Sequence, residues 1–90
     1  MFKYTSTTLE KMEHMMKKQD YVVRYEKGNF KSGYCILQSK RVAVISKFFD
    51  IESRINCLVD IMPQLQIDES IMDEKEKELF HQMKEVQLQQ

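Results

Sequence analysis

Apolar and polar positions follow two different rhythms along this chain, and the rhythm changes near residue 21. Before it, Leu9, Met12 and Met16 recur three or four residues apart, with Met15 on the edge of the stripe. That spacing predicts an amphipathic helix over about residues 7–18. From 21 to 26 the period falls to two: Tyr21, Val23 and Tyr25 alternate with Val22, Arg24 and Glu26, as in a half-exposed strand. Two further runs rich in β-formers follow at 34–38 and 41–46. Within them Cys35-Ile36-Leu37 and Val42-Ala43-Val44-Ile45 are apolar on both faces, so both strands are expected to be covered from two sides. The helical rhythm then returns. Ile51, Ile55, Leu58, Val59 and Met62 predict a helix over about 51–62, and Met72, Leu79, Met83 and Val86, joined by Phe80, a thinner stripe over about 69–86.

The boundaries carry their own signals. Thr7 with Glu10 fits a capping box for the first helix, and Thr5 is a rival N-cap. Lys27-Gly28-Asn29 marks a turn between the first two strands, and Ser39-Lys40 a short connection between the last two. Asp50 suits the N-cap of the second helix, Pro63 stops or kinks it, and Asp68 or Ser70 opens the third. The expectation is one α+β domain over residues 1–90: a helix, a three-stranded antiparallel meander, then two helices. The core should contain Leu9, Met12, Met16, Val23, Ile36, Leu37, Val42, Val44, Ile45, Ile55, Leu58, Val59 and Met62.

Composition changes this picture little. Apolar residues make up 42% and charged residues 31%, the mixture of an ordinary globular chain. No apolar run approaches the roughly 18 residues of a membrane span, and the N-terminal stretch lacks the apolar segment of a secretory signal. Cys35 and Cys57 lie inside apolar runs without metal-ligand spacing, which predicts buried reduced thiols and a cytoplasmic protein. The formal net charge is zero. It is unevenly placed, at +1 over residues 1–23, +4 over 24–54 and −5 over 55–90.

Candidate chemistry is sparse. Gly28 and Gly33 have the glycine spacing of a phosphate loop, but Tyr34-Cys35 stands where Lys-Ser/Thr is needed, so a turn is the better reading. His14 and His81 sit in charged helices and read as solvated. No nucleophile, metal or acid–base motif is present, so no catalytic residue, metal site or cofactor is predicted. The basic middle offers Arg24, Lys31, Lys40, Arg41 and Lys47 near Tyr21, Tyr25, Phe30 and Tyr34, a combination that single-stranded nucleic acid can use. Solvated strand-edge lysines account for the same residues more simply, so a nucleic-acid partner is the secondary reading.

Residues 34–65, YCILQSKRVAVISKFFDIESRINCLVDIMPQL, resemble the strand–turn–strand–helix core of the small zinc metallopeptidases related to phage-repressor-cleaving proteins. That family carries HExxH on the helix. Here the helix reads Asn56-Cys57-Leu58-Val59-Asp60-Ile61-Met62 and has no histidine, so the resemblance implies an inactive descendant and transfers no metal ligand. The leading expectation is a small non-catalytic interaction module that pairs as a homodimer, with no membrane contact. Met72, Leu79, Phe80, Met83 and Val86 are the expected seam, because Met72, Leu79 and Val86 are seven apart.

Overall fold

Residues 2–28, 30 and 32–88 are described by a computed structural model. Helix α1 spans Ser6–Lys18, strand β1 Val22–Glu26, β2 Tyr34–Leu37, β3 Val42–Ser46, helix α2 Ile51–Ile61 and α3 Glu74–Leu88. Short 3-10 turns occupy Gln38–Lys40, Met62–Gln64 and Glu69–Ile71. The class is α+β, with three helices and one three-stranded sheet.

The antiparallel meander is corrected. Strand order is β1-β3-β2, β1 runs parallel to β3, and only β2 and β3 are antiparallel. β1 and β2 lie on opposite edges, so the connection between them is not a hairpin turn. It must span two strand spacings, close to 10 Å, more than a two-residue turn can reach. The whole connection from β1 to β3, residues 27–41, meets the dozen or so residues that a parallel pair needs. Hydrophobicity supplies the reason for the order. β3 is the most apolar strand, and its Val42–Ser46 backbone is paired on both edges, while half-polar β1 and four-residue β2 take the edges.

α1 opens at Thr5, not Thr7: the Thr5 side chain accepts from the Thr8 amide at 3.3 Å. Its buried stripe is broader than the spacing suggests, since Met15 is as deeply placed as Met12 and Met16. The helix ends without glycine. Asp20 takes a left-handed conformation (φ 62°), the Tyr21 amide donates to the Met16 carbonyl and the Asp20 amide to the Lys17 carbonyl, both at 3.0 Å. This double closure turns the chain straight into β1.

α2 is the hub. It packs against α1, α3 and β3, and buries Ile55, Cys57, Leu58, Val59 and Ile61. Asp50 caps it, accepting from the Ser53 amide at 2.8 Å; Ile51, read as the first residue of its stripe, is 39% exposed instead. α3 starts five residues later than the pattern suggests, because Asp73 and Glu76 form a reciprocal capping box: the Glu76 amide donates to Asp73 at 2.8 Å and the Asp73 amide to Glu76 at 3.0 Å. Asp68 caps the preceding 3-10 turn.

One apolar cluster joins the three helices to one face of the sheet. Met12, Met15, Met16, Met62, Met72 and Met83 are all buried in it. Unbranched, polarizable side chains fill the irregular space between short elements that cross at unequal angles.

Candidate functional site

Strand alternation and register divide the sheet into two faces. Val23, Tyr25, Ala43, Ile45, Ile36 and Tyr34 point at the helices and belong to, or pack on, the core cluster. The other face consists of register rows. Val22, Val42 and Leu37 form one, and Arg24, Val44 and Cys35 the next. Glu26 and Ser46 continue it. None of these residues belongs to the core cluster. Val22 is 55% and Leu37 42% exposed, although both are large and apolar. The two-sided cover expected for β2 and β3 is therefore realised only in part: Leu37 is exposed and Val42 half-buried, against the expectation that both lie in the core, whereas Val44 is buried as expected, with Ser46 beside it, although both point away from the helices.

Two charges sit on this open face. Arg24 and Glu26 pair at 3.0 Å, each with a largely solvent-exposed side chain. Such a pair contributes little to stability, but it places one positive and one negative group beside the apolar rows. Cys35 is half-exposed there, against the expectation of burial, whereas Cys57, on the inward side of α2, is buried. Burial pushes the Cys57 thiol up to about 11, and nearby Asp60 adds to the rise, which makes it a poor nucleophile.

The residues expected at a self-association seam lie elsewhere. Met72, Phe80, Met83 and Val86 are buried inside the chain's own core, and Leu79 is half-buried against it. The narrow stripe is closed by α2, so these side chains are not a free surface.

The basic residues do not converge. Arg24 is paired with Glu26. Arg41 donates to the Gln19 carbonyl and, at 3.2 Å, to the Asp20 carbonyl, and its guanidinium lies 4.6 Å from the Tyr21 ring centre. That anchoring explains how Arg41 holds a left-handed backbone (φ 53°) at the entry to β3. Lys47 lies over the Phe48 ring, Lys40 is exposed at the opposite end of β3, and Lys31 falls outside the described residues. The aromatics are no stacking platform either. Tyr21 is buried, Tyr25 and Tyr34 face the helices, and the Tyr34 hydroxyl accepts from Gln64 at 3.1 Å.

Tyr25 belongs to a polar cluster that sequence reasoning did not find. Its hydroxyl donates to the Glu13 carboxylate on α1, and the Arg54 guanidinium of α2 lies 4.3 Å from its ring centre. Arg54 in turn donates to the carbonyls of Phe49 and Lys47 at 3.0 and 3.1 Å. Burial raises the Tyr25 phenol far above its ordinary value, with the bond to Glu13 adding to the rise. Three residues from three elements meet here, and no local spacing could have announced it.

Among the described residues no group of three His, Cys, Asp or Glu side chains is placed to hold a metal ion. His81 instead lies 3.2 Å from Glu69, and His14 lines a groove between α1 and α3. Among the described residues no helix is long and apolar enough to cross a membrane. No family model, curated protein or solved structure matches this chain.

Proposed function

We propose that this chain is a small non-catalytic interaction module of the cytoplasm whose contact surface is the open face of the sheet, and that the face pairs with a second copy of the chain. The observation that carries the reading is the row Val22–Val42–Leu37, apolar side chains that lie outside the hydrophobic cluster of the described residues. A second copy suits it on charge. A two-fold contact sets each patch against itself, and Arg24 beside Glu26 lets each residue meet its opposite on the other copy. Zero net charge also removes the long-range repulsion that keeps many proteins apart. A nucleic-acid partner is disfavoured on the same ground, since the face carries one cation and one anion.

Size sets the strength. Three strands of about five residues present roughly 15 by 15 Å, on the order of 200 Å². A standard interface buries about 800 Å² per partner. Pairing through this face is therefore weak, and light scattering should run over roughly 10⁻⁵ to 10⁻³ M protein. The expected result is a mass rising from 10.8 kDa towards twice that value. Val22→Glu and Leu37→Lys, both at exposed positions, should hold the mass at 10.8 kDa without changing the far-ultraviolet dichroism. A wild-type mass that stays at 10.8 kDa at the highest concentration sinks the reading. So does an association that both variants leave intact.

A further inference from the structure

The outer edge of β2 is open. Ser46 donates its amide to the Gly33 carbonyl at 2.9 Å, so by the alternation of an antiparallel ladder Cys35 and Leu37 also bond towards β3. The backbone amides and carbonyls of Tyr34 and Ile36 therefore point outward, and no hydrogen bond meets them among the described residues. The other edge of the sheet is guarded: β1 carries Arg24 and Glu26, and charge discourages a further strand. Tyr34-Cys35-Ile36-Leu37 carries none. Along this edge runs one flank of α2. Ser53, Asn56, Asp60 and Gln64 recur three or four residues apart, and Gln64 donates to the Tyr34 hydroxyl at 3.1 Å, which ties that flank to β2. Between the flank and Ser32, just ahead of β2, lies a pocket of about 230 Å³. Phe49 forms one wall, its ring against Gly33. Asn56 and Asp60 line it at half-exposed positions, and Asp60 makes no ion pair among the described residues.

We propose that β2 takes an extended segment of a partner protein as a fourth strand, with one lysine or arginine of that segment seated in the pocket against Asp60. Two independent features ask for such a ligand. Unpaired main-chain groups on an uncharged edge accept any strand, and a side-chain pocket beside the edge selects among strands. The pocket is smaller than the roughly 300 Å³ at which clefts begin to hold small molecules, so a single side chain suits it. Its chemistry chooses the charge. The Asp60 carboxylate and the Asn56 side-chain carbonyl accept hydrogen bonds, and an aromatic wall favours a cation. A carboxylate in the same place meets the charge of Asp60. The added strand lies beside the open face and not on it, so the inference does not rest on self-pairing.

The test uses the full chain labelled with ¹⁵N and synthetic peptides of alternating Thr and Val with either Lys or Glu at the centre. Amide shifts at Tyr34 and Ile36 report the edge, because both donors gain an acceptor there. The Lys peptide should bind about fivefold more tightly than the Glu peptide, since one attractive charge pair replaces one repulsive pair. Asp60→Lys, at a half-exposed position, should reverse that order. Two N-methylated versions of the Lys peptide test the main-chain ladder. Methyl groups on one alternate set of amides should abolish binding and on the other set leave it unchanged, since only one set faces β2. Equal affinity for Lys and Glu, no shift at Tyr34 and Ile36, or two methylated peptides that behave alike overturns the proposal. Edge shifts that grow with protein concentration alone also overturn it, because a second copy would then be the occupant. Val22→Glu keeps these outcomes separate from the open-face dimer: it should leave the Lys peptide bound, and loss of binding would place the peptide on that face instead.

Discussion

Tyr25 couples its environment to pH in one direction. Its folded-state phenol holds its proton well above the ordinary tyrosine value near 10, because burial and the Glu13 carboxylate both disfavour the anion. A group with a raised folded-state value contributes stability that is full below the unfolded value and declines as pH rises beyond it. Unfolding free energy should therefore fall above about pH 10, where the unfolded chain loses this proton and the folded chain keeps it. Tyr25→Phe should remove most of that slope and lower stability at neutral pH by about 1 kcal/mol, the net worth of a typical hydrogen bond. Urea titrations at several alkaline pH values read both effects. A slope unchanged in the variant would assign it to other groups. Residues of this kind were not legible beforehand, since Glu13, Tyr25 and Arg54 meet only through tertiary packing. Residues whose role is local were legible, as Asp50 at the start of α2 shows. Asp20 and Arg41 mark the boundary between the two cases. Both adopt positive φ without being glycine, and tertiary contacts to Arg41 hold that geometry where composition gives no sign of it.

Whole elements were easier to read than their partners. Periodicity identified three helices and three strands because each buries one face, and burial leaves a repeat in the sequence. Pairing leaves none. A parallel neighbour and an antiparallel one ask for the same β-branched residues, so the exchange of β2 and β3 positions was invisible, though the two-sided apolar character of Val42–Ile45 pointed to the central strand. The thin stripe of α3 misled for a related reason: seven-residue spacing fits a coiled-coil seam and a helix lodged on α2 equally well. Between elements, Gln19 is the tie to watch. It is 4% exposed, donates to the Asp68 carbonyl at 3.0 Å and accepts from the Asp68 amide at 2.9 Å, fastening the end of α1 to the turn before α3. Gln19→Glu keeps the acceptor but sets a carboxylate oxygen against the Asp68 carbonyl. It should lower stability by about 1–3 kcal/mol, more than Gln19→Glu-type changes at exposed Gln66 do. Thermal melts of the two variants decide this, and equal melting temperatures would show the tie to be weak.

The whole molecule holds its charges more evenly than its sequence suggests. Arg24 is neutralised locally, while Arg41 and Arg54 cap carbonyls, so the basic middle does not become a basic surface. The sheet face proposed as the contact surface could not be seen along the chain, since it is defined by what fails to cover it.

The crossed strand order also bears on the time course of folding. β2 and β3 are separated by four residues, so their ladder closes a short loop early, whereas β1 finds its neighbour only across residues 27–41. Ile36→Val should then slow folding in proportion to its loss of stability, while Val23→Ala should chiefly accelerate unfolding. Stopped-flow measurements that rank the two the other way would reverse the sequence of events. As the protein leaves the ribosome, its first strand is made fifteen residues before the one it pairs with. For that interval Val22–Glu26 has α1 beside it and no sheet to join.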